Sequence, residues 1–146
     1  MMNLKPEVVA QLERVLGSVE MLLPKAAKPV NWSTCHAANW RRHSFSCYLE
    51  PVKVTDTTRL DELLGVEEQK QIMISNTRQC LQGLPANNAL LWGSRGTGKS
   101  SIVKALLNEY GDQGLRVIQV EKEDLIYLSE IFTAIEDQPY RFIMLC

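Results

Sequence analysis

The sequence has almost no excess of charge of either sign. Its 146 residues include 16 lysines and arginines and 17 aspartates and glutamates, so the formal net charge is −1. Proteins that bind nucleic acid or anionic lipid through a broad electrostatic surface carry a clear positive excess. We therefore expect neither partner. The basic segment Trp40–His43 is interpreted as an anchoring tryptophan flanked by solvated charges, because four residues do not make a nucleic-acid groove.

Long apolar runs are also missing. No stretch of 18 apolar residues occurs, and charges at Lys5, Glu7, Glu13, Arg14 and Glu20 interrupt the first 25 residues. A transmembrane helix needs such a stretch, and a signal peptide needs an uninterrupted apolar core. The sequence therefore predicts no membrane span and a cytoplasmic location.

Cysteine pairs at metal-binding spacing are absent. The four cysteines include no Cys-x-x-Cys, so they are expected to be reduced and mostly buried thiols. Cys35, His36, His43 and Cys47 lie within 13 residues and could in principle bind zinc. Adjacent Cys35 and His36 cannot easily face one ion, however, and the spacing matches no zinc module. We favour ordinary structural roles.

What the sequence does have is the stretch of residues 89–107, ALLWGSRGTGKSSIVKALL. It contains the pattern G-x-x-x-x-G-K-[ST], the P-loop that binds phosphates, between a predicted strand at Ala89–Trp92 and a predicted helix. Backbone N–H groups and a helix N-terminus make such a loop an anion site. The sequence therefore predicts a nucleoside-triphosphate site.

The loop residues have separate expected roles. Glycines at 93, 96 and 98 permit close approach of the backbone, Lys99 reaches the β- and γ-phosphates, and Ser100 ligates Mg²⁺. Ser101 is expected to be a helix residue near the phosphates and Arg95 a solvated side chain. The predicted nucleotide-binding residues of the loop are Gly93, Ser94, Arg95, Gly96, Thr97, Gly98, Lys99, Ser100 and Ser101.

Apolar periodicity predicts the elements before the loop. An amphipathic helix is expected at Pro6–Leu23, with its stripe packed against the rest of the protein rather than against a partner. Ser44–Val54 is expected to be a strand or an extended arm. A short helix stopped by Gly65 and a longer helix at Val66–Gln82 follow.

Strands and helices alternate after the loop. The loop helix is expected to end at Gly111 in the left-handed conformation, and a strand follows at Leu115–Val120. Ser129 is expected to cap the next helix, and Phe142–Cys146 to form a strand. This alternation predicts an α/β fold with a parallel sheet covered by helices.

From residue 60 onward the chain resembles the AAA+ ATPase superfamily. Leu60–Lys70, LDELLGVEEQK, resembles the segment that helps to enclose adenine, and Pro85–Ser101 resembles the strand and Walker A loop. The chain is more closely similar to a bacterial family of predicted AAA+ ATP-binding proteins of undefined role. The resemblance implies a three-layer αβα P-loop NTPase fold, ATP and Mg²⁺ as cofactors, and a homo-oligomer when full-length. It also implies adenine-pocket residues at Leu64, Gly65 and Val66, although Gly65 could equally be a simple helix breaker.

The end of the sequence departs from this pattern. Phe142–Cys146 resembles the Walker B strand, but the acidic residues expected next are beyond Cys146, and Glu121 and Asp124 follow the wrong strand. An AAA+ sheet has the order 5-1-4-3-2, so strands 1 to 3 alone would leave a gap in an incomplete sheet. A truncated chain is therefore expected. A kinase-like order, 2-3-1, would instead make the three strands contiguous.

These observations define the expected organisation and three functions. Residues 1–58 are expected to form a small, mostly helical accessory region, and residues 59–146 the first part of a nucleotide-binding domain. The first hypothesis is an ATP-binding AAA+ fragment with no catalytic residues of its own. The alternatives are a P-loop kinase for nucleotides or small molecules, and a non-enzymatic adaptor that acts through residues 1–58.

Overall fold

The computed structural model describes residues 5–22, 28–43 and 46–146, and the side chains of residues 20–22 also lie outside the description. Short 3₁₀ segments at Leu60–Glu62, Gly111–Gln113 and Lys122–Tyr127 connect the main elements. The helices and strands of the described ranges are, in chain order, α1 (Pro6–Leu22), β1 (Ala37–His43), β2 (Ser46–Val52), α2 (Glu67–Leu81), α3 (Lys99–Tyr110), β3 (Leu115–Gln119), α4 (Leu128–Ile135) and β4 (Arg141–Leu145).

The four strands form one mixed sheet in the order β2-β1-β3-β4. β1 and β2 are an antiparallel hairpin, in which Ala37 lies opposite Val52. The two other pairings are parallel, and they place Val117 of β3 between Ala37 of β1 and Ile143 of β4. The predicted α/β class is confirmed, because parallel strands are joined by helical connections.

Each face of the sheet has its own apolar core, because successive strand side chains point to opposite faces. One core joins Leu115 and Val117 of β3 to the inner faces of α2 and α3. The other joins Ile118 of β3 and Trp40 of β1 to Ile131 of α4. Helices therefore cover both faces of the sheet.

Strand β1 was not among the predicted elements, and it changes the organisation of the first part of the chain. Only Ala38 and Trp40 of its seven residues are buried, so the segment has no extended apolar pattern. Through β1, residues before position 58 share a sheet with residues after it. The proposed boundary between residues 58 and 59 stays a prediction.

The predicted strand Ala89–Trp92 is wrong. In the described chain these residues have no regular secondary structure and belong to no sheet. Leu91 packs against the core beside α3, whereas Leu90 and Trp92 are 87% and 86% exposed. The kinase-like order 2-3-1 is wrong for the same reason, since β4 pairs with β3 and not with this segment.

The predicted packing of α1 is also wrong. The helix forms over almost the predicted range, with Leu23 outside the described residues. Its apolar stripe is not covered by the rest of the described chain, because the exposed fractions run from 39% at Val9 to 60% at Leu16. Among the described residues, no helix combines the length and the apolar content that crossing a membrane requires.

Two smaller expectations also fail. Ser129 lies inside the first turn of α4, where its hydroxyl donates to the Glu130 carboxylate, and the residue at the cap position is Tyr127. The four cysteines are free as expected, but Cys47 and Cys146 are exposed and the other two are only half-buried. The residue types alone therefore did not determine the cap position of α4 or the burial of the cysteines.

Gly111 does not end α3 in the left-handed conformation. Its φ is −57°, so the helix continues into a 3₁₀ turn, and Gly114 takes the left-handed position with φ of 98°. Glycine is needed at position 111 for space instead. A β-carbon there would lie 2.7 Å from Nδ1 of His36, which is closer than van der Waals contact allows.

Gly111→Ala is therefore expected to destabilise the protein. Replacing glycine by alanine in a helical conformation ordinarily raises the free energy of unfolding by about 0.4–1 kcal/mol. A steric clash in a packed site lowers it by about 1–3 kcal/mol. We expect a net loss of about 1–2 kcal/mol in the free energy of unfolding, measured by urea denaturation. In a His36→Ala background the clash is removed, so the same change should be neutral or stabilising. A loss of the same size in both backgrounds would rule out the His36 contact as its cause.

Candidate functional site

The glycine-rich loop of residues 93–98 lies between residues 89–92 and the first residue of α3. Gly93, Gly96 and Gly98 have φ values of 138°, 87° and 86°, which place all three in the positive-φ region. Residues other than glycine rarely adopt this backbone region, so the three glycines permit a turn that other residues would strain. Gly98 is also the N-cap residue of α3.

The Lys99 ammonium is directed back onto this loop. Its Nζ donates to the carbonyl oxygens of Gly93 and Ser94, at 2.9 and 2.6 Å, and to the Thr97 hydroxyl at 3.2 Å. The Thr97 hydroxyl in turn donates to the Ser94 carbonyl at 2.9 Å. All three protons of the ammonium are therefore used within the loop. A phosphate that binds Lys99 would replace these oxygens.

The first turn of α3 adds unpaired backbone donors beside the lysine. The first amides of any helix lack partners within the helix, and the helix dipole makes this end attractive to anions. The first turn carries no acidic residue that would repel an anion. Ser100 is exposed and Ser101 half-buried, whereas Arg95 and Thr97 are exposed in the loop.

Ser100 is the residue of this group that can contribute a ligand to Mg²⁺. A serine hydroxyl is a suitable hard oxygen ligand, and Mg²⁺ usually takes its other ligands from phosphates and water. The loop therefore fits Mg²⁺ through one protein ligand, the Ser100 hydroxyl.

Among the described residues, no three histidine, cysteine, aspartate or glutamate side chains come together as a metal site. Cys35 and Cys47 lie near opposite ends of the β1–β2 hairpin.

The adenine-pocket candidates lie in the turn between the 3₁₀ segment at Leu60–Glu62 and α2. Leu64 is 83% exposed, Gly65 has φ of 75°, and Val66 is half-buried against the α2–α3 core. The structure therefore places Leu64 toward solvent and Val66 toward the protein. Gly65 permits the reversal between them.

The chain before this turn is tied to α3, the same helix that begins at the loop. The Asn108 amide donates to the carbonyl oxygens of Asp56 and Thr58, both at 2.9 Å. Lys104 forms an ion pair with Asp56 at 3.0 Å. Hydrogen bonds from the Thr58 hydroxyl and backbone amide, together with Lys104, lower the pKa of Asp56 to about 2. Asp56 is therefore charged at neutral pH and holds this segment against α3.

Of the two acidic residues that follow β3, Asp124 pairs with the β1–β2 hairpin. Asp124 is buried and lies 3.4 Å from the guanidinium of Arg42 on the β1–β2 hairpin. The second guanidinium of the Trp40–His43 segment, that of Arg41, pairs with Glu50 at 2.8 Å. Both arginines thus have partners within the chain, which agrees with their interpretation as charges flanking a buried tryptophan.

Sequence reasoning missed two side chains of α2 that bind backbone near the candidate site. Lys70 is buried, and its Nζ donates to the Leu63 carbonyl at 2.9 Å. Asn76 pairs with Asn87 through two hydrogen bonds, one from the Asn87 amide at 2.7 Å. The available signal was the position of Lys70, three residues before Met73 and seven before Thr77 on the inner face of α2.

Comparison with known proteins places the chain in a family. The family model described as "Protein of unknown function (DUF815)" matches residues 33–146. The chain belongs to this family. The matched range includes both the β1–β2 hairpin and the glycine-rich loop. The DUF815 chain thus retains the family pattern over most of its length.

Two curated proteins are similar to shorter parts of the chain. The replication factor C large subunit of Ignicoccus hospitalis is 37% identical over 54 residues, or 36% of this chain and 11% of that protein. The replication factor C large subunit of Nanoarchaeum equitans is 36% identical over 72 residues, or 49% of this chain and 17% of that protein. The chain therefore spans only a small part of either relative. No solved structure matches it significantly.

These similarities support the AAA+ resemblance, because the replication factor C large subunit is an AAA+ protein. Together with the family assignment they indicate nucleotide binding in general terms. The adjacency of β3 and β4 is common to the order 5-1-4-3-2 and to the kinase-like order 2-3-1, so it does not distinguish them.

Proposed function

We propose that this DUF815 chain binds ATP together with Mg²⁺ through residues 93–101. The observation that supports this most is the Lys99 ammonium, held by three loop oxygens beside the N-terminus of α3. An ATP phosphate would give acceptors to the free amides at the start of α3 and would replace the loop oxygens around the ammonium. The Ser100 hydroxyl would be one ligand of the accompanying Mg²⁺.

The base and the activity are further parts of the proposal. Leu64, Gly65 and Val66 would contact adenine, since exposed apolar surface at Leu64 is suited to a flat base. No catalytic residue is proposed in this chain, and no useful hydrolysis is expected from it alone. As part of a longer protein, the chain would take part in ATP binding and hydrolysis that move the subunits of a homo-oligomer relative to one another.

Titration with a fluorescent ATP analogue tests the proposal. Saturable binding is expected in the presence of Mg²⁺, with displacement by excess unlabelled ATP. Removing Mg²⁺ with a chelator should weaken binding, because the ion neutralises part of the phosphate charge. A signal that rises without saturation, or that unlabelled ATP does not displace, would contradict the proposal.

Of the two alternative functions, the structure disfavours one. A P-loop kinase was expected to pair β4 directly with residues 89–92, and that pairing is not formed. A non-enzymatic adaptor role for residues 1–58 stays a prediction, as does the cytoplasmic location. Within the described residues, nothing identifies a protein partner.

A further inference from the structure

The first observation behind this inference is a lysine in an unusual place. Lys70 lies on the core-facing stripe of α2, and its side chain is only 8% exposed. Lysine is rarely buried to this extent unless its charge is paired. The Nζ atom has two partners, the Leu63 carbonyl at 2.9 Å and the Glu67 carboxylate at 2.8 Å. The burial cost is therefore offset by contacts to the turn before α2 and to the first residue of α2.

The second observation is that α2 holds two separate backbone segments. Lys70 binds the carbonyl of Leu63, the residue immediately before the turn Leu64–Val66. Two turns further along, Asn76 binds both the amide and the carbonyl of Asn87, which leads into the glycine-rich loop. α2 therefore fixes the distance between the proposed base-binding turn and the segment that carries the phosphate-binding loop.

From these contacts we infer that Lys70 is a positioning residue for the adenine base. Its ammonium holds the turn Leu64–Val66 in place relative to the loop, without touching the nucleotide itself. The turn contains Gly65 with φ of 75° and an almost fully exposed Leu64, so Val66 is the one residue of the turn that packs against the core. The inference rests on the proposed function, and it predicts that Lys70 affects recognition of the base but not of the phosphates.

Lys70→Met tests this directly, because methionine keeps an unbranched apolar stem in the core while removing the charge. Replacing a buried ion by an apolar side chain is often neutral for stability or even stabilising. The variant is compared with wild type in competition assays with two probes, ATP and inorganic tripolyphosphate. We expect ATP affinity to fall about tenfold, the equivalent of one hydrogen bond to a charged group, with tripolyphosphate affinity unchanged.

Two further variants separate positioning from a structural role. Lys122→Met makes the same chemical change at an exposed site and should leave both affinities unchanged. Lys70→Arg restores a cationic donor and should recover a preference for ATP over tripolyphosphate. Thermal melting of each variant shows whether the fold is kept.

The outcomes distinguish this inference from the proposed function. An equal loss of affinity for both probes in Lys70→Met, or no loss for either, would overturn the positioning role while leaving ATP binding intact. Equal affinities of the wild type for the two probes would also overturn it, since no base would then be recognised. Binding of neither probe by the wild type would reject the proposed function and this inference together.

Discussion

Replacing Lys99 by alanine is expected to lower the affinity for the fluorescent ATP analogue by about 10- to 150-fold. A hydrogen-bonded charge contact of this kind contributes about 1.5–3 kcal/mol, and each 1.4 kcal/mol is a factor of ten in affinity. The ammonium donates to oxygens of Gly93, Ser94 and Thr97 in the loop. It is therefore already close to where phosphates would bind.

The matched control is Lys104→Ala, on the same helix. Lys104 is exposed and forms an ion pair with Asp56, so its loss removes one positive charge from α3 without changing the loop. We expect the affinity of this variant to remain within about twofold of wild type, since exposed ion pairs contribute little. Equal losses in the two variants would indicate a general effect of charge. An unchanged affinity in Lys99→Ala would remove Lys99 from the site.

Leu106→Ala is expected to give a large loss of stability, about 3 kcal/mol in the free energy of unfolding. Leu106 is fully buried in the core between α2, α3 and β3. Truncating a buried leucine costs about 2–5 kcal/mol, because the transfer free energy is lost and a cavity remains. Urea denaturation followed by circular dichroism measures the change, and the slope of the transition shows whether it stays two-state.

Leu64→Ala is the control for this measurement, because the same atoms are removed from a side chain that is 83% exposed. Its stability should stay within about 0.5 kcal/mol of wild type, as for most surface substitutions. If the two variants were equally stable, the packing of α3 against the sheet described above would be incorrect.

The elements that the sequence predicted well are those with a local cause. α2, α3 and β3 lie within a residue or two of their predicted positions, because apolar periodicity and glycine or proline at their ends are properties of each segment alone. The loop glycines behave in the same way. Their positive φ values follow from a motif whose spacing demands a tight turn.

The elements that were missed depend on distant neighbours. β1 has two buried residues in seven, and it is a strand because β2 and β3 both supply hydrogen-bond partners. The segment Ala89–Trp92 shows the reverse. Its composition is typical of a strand, but no strand of the described chain pairs with it. Pairing partners cannot be deduced from a segment's own pattern.

The residues of the candidate site also differ in whether the sequence alone could predict them. The residues of the loop could be named from the motif, whereas the contribution of α2 could not. The pairing of Asn76 with Asn87 joins residues separated by a loop, and a lysine in an apolar stripe resembles an error in the periodicity until its carbonyl partner is known.

The parallel pairing of β1 with β3 has a consequence for how the chain folds. Residue 37 meets residue 117, so this part of the sheet closes a loop of about 80 residues that contains α2, the glycine-rich loop and α3. Contacts between residues so far apart in sequence form slowly, because the entropy lost on closing the loop precedes the gain from pairing. During synthesis the β1–β2 hairpin must wait without its sheet neighbour until β3 has left the ribosome. The last step in assembling the sheet is thus expected to be the docking of the earliest strands onto the latest ones.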